Sequence, residues 1–173
     1  QILQRKPIIY SMNPHNLQEI VESVNKIGKI IVKENEAERI TESLKKRIKI
    51  IKKTKPKTKP KVLAIEWIEP FFSAGHWIPE MIKDAGGENL ISVTEEYSRK
   101  MSINEITESD PDIIIMMPCG FDTSRTISEY NKILRNDKSW NELRTVKNKK
   151  VFAVDANSYF SKPSIRTITG LEI

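Results

Sequence analysis

The sequence predicts an α/β fold: a mainly parallel sheet with flanking helices, one Rossmann-like lobe, preceded by a long helical connector. Three observations carry this. Short apolar runs at Val62–Ile65, Ile113–Met117 and Val151–Val154 alternate with helix-like segments, the order in which parallel sheets are built. The middle run, Ile-Ile-Ile-Met-Met, contains no polar residue, as expected of a strand buried on both faces. Ahead of the first run, apolar residues recur at spacings of three and four through two long stretches, the helical period.

Taken in order, Ile8–Tyr10 predicts a short strand. Asn13 then suits a helix N-cap and Pro14 the first helical position. Leu17, Ile20, Val24, Ile27 and Ile31 form the stripe of a first helix. Ala37, Ile40, Leu44, Ile48 and Ile51 form that of a second over Glu34–Lys53, after a break around Lys33. A helix over Trp77–Ala85 is stopped by Gly86-Gly87. Ser102 caps a helix to Ser109, Thr123–Asn136 is helical, Ser139–Val146 forms another helix, and Thr169–Ile173 resembles the first turn of a last one. The expected division is the end of a first lobe (1–13), a helical connector (14–55), a Lys/Pro linker (56–61) and an α/β lobe (62–173) truncated at its last helix. The first lobe is expected to be mostly missing.

Composition narrows the function classes. Apolar residues make up 38% and charged residues 30% of the chain, values typical of globular domains. No apolar run approaches the ~18 residues of a membrane span, and QILQRKP holds no apolar leader core. Cys119 is the single cysteine, which excludes an intramolecular disulfide and a cysteine metal cluster. The net charge of +6 is local: Leu44–Lys61 carries ten Lys/Arg and no acid, and the remainder has 19 basic against 23 acidic residues. A solvated helix end and a stiff Lys-Pro linker account for it. The alternative is an anionic-surface anchor; no nucleic-acid partner is expected.

Ligands of open parallel sheets collect beyond the carboxyl ends of the strands. Three segments follow strands here: Glu66–Trp77, Pro118–Asp122 and Asp155–Pro163. Each carries aromatics beside small or polar residues, the make-up of a pocket wall. Phe71 and Phe72 either line that wall or staple a loop to the core. His76 is read as a hydrogen-bond donor or packing group before a metal ligand, because the only other histidine, His15, lies far off in the helical segment. Cys119 has no evident base beside it for a nucleophilic role. No GxGxxG or P-loop occurs.

The segments GHWIPEMIKDAGGENLI, SDPDIIIMMPCGFD and YFSKPSIRTITGLEI together resemble the cobalamin-binding branch of the helical-backbone (class III) substrate-binding proteins. These serve ABC importers of vitamin B12, haem and siderophores. The resemblance covers nearly the whole chain and implies two α/β lobes clamping a ligand across a rigid helix. It places Phe71, Phe72, Gly75, His76, Trp77, Gly120, Phe121, Arg125 and Phe160 in or near the cleft. Ser98 falls where a relative has a tryptophan, and Arg99 beside it is counted among the ligand-binding residues. Ser158 and Tyr159 fall where an acid–aromatic pair contacts ligand. Asn104 or the adjacent Glu105 falls at the position that docks on the transporter.

The implied function is extracytoplasmic capture of a corrinoid such as cobalamin for delivery to ABC importer membrane subunits, with no catalytic residues, no metal site and no cofactor beyond the bound ligand. The alternatives are a haem- or siderophore-binding member of the same fold, and a cytoplasmic α/β enzyme using Cys119 or His76.

Overall fold

Asn16, not Asn13, opens the first helix. In the computed structural model, which describes residues 7, 9–54 and 56–173, α1 runs Leu17–Ile30, and the Asn16 side chain accepts from the Glu19 N–H at 2.8 Å. Glu19 in turn accepts from the His15 N–H at 2.7 Å. The cap therefore forms where an Asn has an acid three residues on, and Asn13 does not. Ile8, where the expected first strand begins, lies outside the described residues, as do residues 1–6 of the expected first-lobe end and Lys55. Ile9 and Tyr10 belong to no strand.

The chain breaks after α1 at the place expected. Val32 takes a left-handed φ of 57°, and α2 begins at Glu34 and runs to Lys53. The two helices fold back on each other. Their contact sets the inward stripes, which differ from the simple apolar count. On α2, Thr41 faces inward with Ala37 and Leu44, while Ile40 is exposed. Thr41 meets the cost of burial by donating to the Glu38 carbonyl at 2.9 Å. On α1, Ile27 and Ile31 are exposed and Gly28 lies inward. A Cβ at Gly28 would stand 2.4 Å from the Ala37 Cβ, so the crossing is close because one helix has no side chain there.

Among the described residues the sheet has six strands: β1 (Lys61–Ile68), β2 (Phe71–Ser73), β3 (Glu88–Asn89), β4 (Arg99–Lys100), β5 (Ile113–Met116) and β6 (Val151–Ala153). The order is β4-β2-β1-β5-β6, with β3 also on β1. β1, β3, β5 and β6 are parallel, while β2 and β4 add an antiparallel flank. That flank departs from the sequence pattern: Phe71-Phe72-Ser73 reads as loop but turns back along β1.

Alternation along β1 sends residues to two cores. Val62 and Ala64 pack with Leu17, Ile20, Leu44, Trp77 and Ile168, so α1 and α2 share a core with the sheet. Leu63 and Ile65 pack on the other face with Met101, Ile106, Ile114 and Trp140. This two-sided burial explains the unbroken apolar runs.

The remaining helices are α3 (Ile78–Asp84), α4 (Ile103–Ser109), α5 (Thr123–Ile133), α6 (Lys138–Glu142), α7 (Arg144–Lys147), α8 (Ala156–Tyr159) and α9 (Arg166–Glu172). Gly86 ends α3 at φ +92°, and the Gly87 N–H donates back to the Ile82 carbonyl at 2.8 Å, the left-handed stop expected of the glycine pair. Ser102 and Glu105 form a reciprocal capping box on α4. The helix expected over Ser139–Val146 is two, because Leu143 leaves helical geometry at ψ 132°. The bend lets Arg144 bond Asp110 at 2.8 Å and Asp112 at 2.9 Å. α9 starts earlier than expected and is tied to α2: Arg47 donates to Glu172 at 2.7 Å and to Thr169 at 2.9 Å.

The α1–α2 crossing gives a stability prediction. Gly28→Ala gains about 1 kcal/mol of helix propensity but overpacks the crossing, at a cost of about 1–3 kcal/mol. Thermal melts should show a lower Tm, by roughly 2–4 °C per kcal/mol lost. Adding Ala37→Gly removes the facing methyl and should return Tm toward the parent value.

Candidate functional site

Gly75 and His76 form the corner from which the site is built. They connect β2 to α3, and the 95–98 backbone presses against them. A Cβ on Gly75 would lie 2.5 Å from the Ser98 N and 2.6 Å from the Glu96 O. His76 takes a left-handed φ of 54°, a conformation that is costly for a non-glycine residue. Two backbone bonds hold it there: the His76 N–H donates to the Glu96 carbonyl at 2.6 Å, and the Glu95 N–H donates to the His76 carbonyl at 3.1 Å.

Beyond the carboxyl ends of β1 and β5 lies a cavity of about 300 Å³. Of the residues singled out in the sequence, it gathers Gly75, His76, Trp77, Cys119 and Phe160. Phe160 also packs on α9, close enough to Gly170 that a Cβ there would stand 2.9 Å from the ring. Among the described residues no hydrogen bond joins Cys119 to His76. Wider depressions lie elsewhere. One of about 530 Å³ between α1 and α2 is lined by Lys45, Lys49, Lys52 and Lys53, away from the strand ends where aromatic and polar groups converge.

Other expected residues stand apart from this cavity. Phe71 turns into the core and stacks on Trp140, with ring centroids 5.6 Å apart, because strand alternation sends it to the far face of the sheet. Phe72 is half-buried in β2 opposite Lys100. Phe121 is buried at a neighbouring rim, edge-on to Trp67 at 5.6 Å and with the Arg125 guanidinium 3.7 Å above its ring. Gly120 supplies a turn at φ +77°, and its N–H donates to the Ser161 Oγ at 3.0 Å.

On α8, the Ser158 N–H donates to the Asp155 carboxylate at 2.8 Å, and Tyr159 is half-buried beside Phe160. Ser98 lies against Gly75, and Arg99 pairs with Glu105 at 2.9 Å. That pair and the Ser102 cap hold the Glu105 carboxylate below the usual range, the capping N–H first and Arg99 second. Asn104 is exposed on the first turn of α4.

His15, expected far from His76, is beside it. The ring centroids are 5.7 Å apart, and Tyr97 packs edge-on to both. The start of α1 is pinned here by two bonds across long stretches of chain. The Leu17 N–H donates to Glu80 at 2.8 Å, and Asn16 donates to Glu95 at 2.9 Å. Neither contact leaves a trace in local sequence spacing. Among the described residues no three His, Cys, Asp or Glu side chains converge as a metal site.

Sequence reasoning did not single out Glu66, which lines the cavity. Its signal is an acid between Ile65 and Trp67 near the end of an apolar strand. The β1–β2 register slips between Ile65 and Trp67, so Glu66 sits at a bulge, a device that re-aims a side chain. Burial raises its pKa above the ordinary carboxylate value, opposed by the Ser98 side chain, His76 and the Gly75 backbone. Trp77 lines the same cavity at 6% exposure. Among the described residues its indole Nε1 is buried without a hydrogen-bond partner, a state that costs about 1–3 kcal/mol.

Comparison with known proteins places this geometry. The family model described as Periplasmic binding protein matches residues 1–158. A curated relative, the high-affinity heme uptake system protein IsdE of Staphylococcus aureus, is 24% identical over 146 residues, covering 81% of this chain and 49% of the relative. The chain thus spans about half the length of the curated relatives it matches. Among solved structures, an ABC transporter substrate-binding protein from Listeria monocytogenes superposes with TM-score 0.82 at 20% identity, covering 94% of this chain and 64% of that one. The S. aureus IsdE–heme complex gives 0.81 at 21%, covering 94% and 65%. The vitamin B12 binding protein BtuF of Vibrio cholerae gives 0.73 at 19%, covering 95% and 62%. These likenesses establish the fold.

Gly75→Ala should force the 95–98 loop away, costing about 1–3 kcal/mol. Hydrogen exchange should show the His76 amide losing protection. For Glu66, a raised folded pKa means the native state binds more protons than the unfolded one. Its stabilising share is full below the unfolded carboxylate value of about 4.3 and is lost as pH rises through the folded value. Glu66→Gln should therefore melt higher than the parent at neutral pH, and the gain should vanish near pH 4.

Proposed function

The chain belongs to the periplasmic binding protein family, and on that premise we propose that it contributes one wall of a cleft that captures a large flat tetrapyrrole. The preferred ligand is a corrinoid such as vitamin B12, taken up outside the cytoplasm and passed to the membrane subunits of an ABC importer. The observation that carries this is the cavity at the carboxyl edge of the sheet, where His76, Trp77 and Phe160 meet a few polar groups. A broad ring gains most from aromatic and apolar contact, and sparse polar groups then orient it. Capture needs no acid–base pair, so we read the protein as a binding protein and not an enzyme.

Haem is the second reading. It is favoured by the paired rings of His15 and His76, since imidazole is a common ligand of haem iron. Docking on the importer would fall to Asn104 and Glu105 on α4. Phe121 with Arg125, and Tyr159 near the same edge, would extend the wall.

The test is a spectroscopic titration of vitamin B12 and of haem against this chain and against the product of its full reading frame. The full product should bind the corrinoid, and this chain should bind it at least roughly tenfold more weakly, a loss of about 1.4 kcal/mol or more. Binding of neither tetrapyrrole by the full product would overturn the proposal. Equal affinity in the two chains would remove the idea that a second wall contributes.

A further inference from the structure

We propose that the lysine face of α2, together with the groove between α1 and α2, is a docking surface for an anionic phospholipid bilayer. This goes beyond the tetrapyrrole reading and does not rest on it: the groove shares no lining residue with the strand-edge cavity.

The helical period gathers the charge. At about 100° per residue, Lys45, Lys46, Lys49, Lys52 and Lys53 fall within one arc of about 120° on α2. All five are exposed. Two of them have partners: Lys45 pairs with Glu42 at 2.8 Å and Lys52 with Asp84 at 3.0 Å. Among the described residues no acid pairs with Lys46, Lys49 or Lys53. Lys57 and Lys59 continue the run beyond the helix, both exposed. The acids of the groove are Glu22 and Glu80, and both are engaged. Glu22 accepts from the Gln18 side chain at 2.7 Å, and Glu80 accepts from the Leu17 N–H at 2.8 Å. Lysines held this close repel one another, and an opposing anionic surface relieves that repulsion.

Charge alone fits any polyanion; the apolar groups among the lysines favour a bilayer. The groove has Leu17, Val21 and Ile48 in its lining beside Lys45, Lys49, Lys52 and Lys53. Leu17 and Val21 are buried and Ile48 is half-buried, while the lysines are exposed. The apolar groups therefore form the floor and the ammonium groups the rim. Ile50 adds to this from the outside. It is 56% exposed, belongs to neither core, and stands about one helical turn from both Lys46 and Lys53. A soluble polyanion offers such a side chain nothing. A bilayer offers headgroup phosphates to the ammonium groups and an acyl boundary to Ile50 and the lysine stems. A basic helix with apolar residues set among its lysines is the make-up of a membrane-surface element.

The experiment is vesicle sedimentation with the product of the full reading frame. Phosphatidylcholine vesicles are compared with vesicles of equal parts phosphatidylglycerol and phosphatidylcholine, and inorganic polyphosphate serves as a soluble polyanion. Thermal melts accompany every variant. A lysine near an anionic surface is worth roughly fivefold in binding, so the parent should prefer the phosphatidylglycerol vesicles by about a hundredfold. Raising NaCl from about 0.1 M to about 0.5 M should remove most of that preference. Lys46→Gln, Lys49→Gln and Lys53→Gln together should also remove most of it. The same loss of charge at Lys138, Lys149 and Lys150 should change it by less than about threefold. Ile50→Ser should weaken vesicle binding by about threefold or more and leave polyphosphate binding unchanged. No preference for the anionic vesicles, or equal losses from the two lysine sets, would overturn this inference. Tight polyphosphate binding with vesicle binding indifferent to Ile50→Ser would assign the face to a soluble polyanion and overturn the bilayer. None of these outcomes bears on the tetrapyrrole reading, which its own titration decides.

Discussion

The close approach of the 95–98 backbone to Gly75 is the constraint on which the site depends. A single added carbon would sit 2.5 Å from the Ser98 nitrogen. With glycine there, the loop can bond both the N–H and the carbonyl of His76 and hold that residue in a left-handed conformation it would not adopt alone. The held corner starts α3 at the edge of the cavity and seats Trp77 in the core beneath it. It also forms the surface on which His15 and the start of α1 come to rest. The helical segment and the sheet thereby meet at the same place where the chain presents its polar and aromatic groups.

Much of the architecture was legible because it is written in short-range patterns. The apolar strands, the break near Lys33, the glycine stop after α3 and the Ser102 cap each depend on a few adjacent residues. What escaped depends on contacts between distant segments. Asn13 looks like a cap as good as Asn16 until Glu19 is seen to answer the latter. Ile40 outranks Thr41 in any apolar count, yet the close crossing at Gly28 and Ala37 turns Thr41 inward. Phe71 and Phe72 read as one aromatic feature, but a strand sends neighbours to opposite faces, and Phe71 stacks on Trp140 in the core. His15 is remote from His76 in sequence, which says nothing of distance in space: their rings lie 5.7 Å apart. Within the cavity, His76, Trp77 and Phe160 were legible and Glu66 was not, since a bulge is a property of two strands together.

The basic segment is distributed rather than idle. Lys45 pairs with Glu42, Arg47 with Glu172 and Lys52 with Asp84. Of these, the Lys45–Glu42 pair is exposed on both sides and contributes little, whereas the Asp84 side chain is largely buried. Arg47 and Lys52 nevertheless tie α2 to α9 and α3, at positions remote in sequence. The Lys/Pro stretch is also packed: Pro56 lies against Gly86, where a Cβ would stand 2.3 Å from the proline ring. It approaches the end of α3, near the amino ends of the parallel strands, and leaves the carboxyl edge to the cavity.

The two ends of the sheet path have a separate consequence. β4 is two residues long, both of them basic and exposed, and β6 is three. A sheet edge is a template on which another chain can add a strand, and short, charged edges are a common defence against it. The antiparallel flank that the sequence did not announce therefore replaces the open side of β1, an eight-residue strand, with an edge too short and too charged to recruit a neighbour.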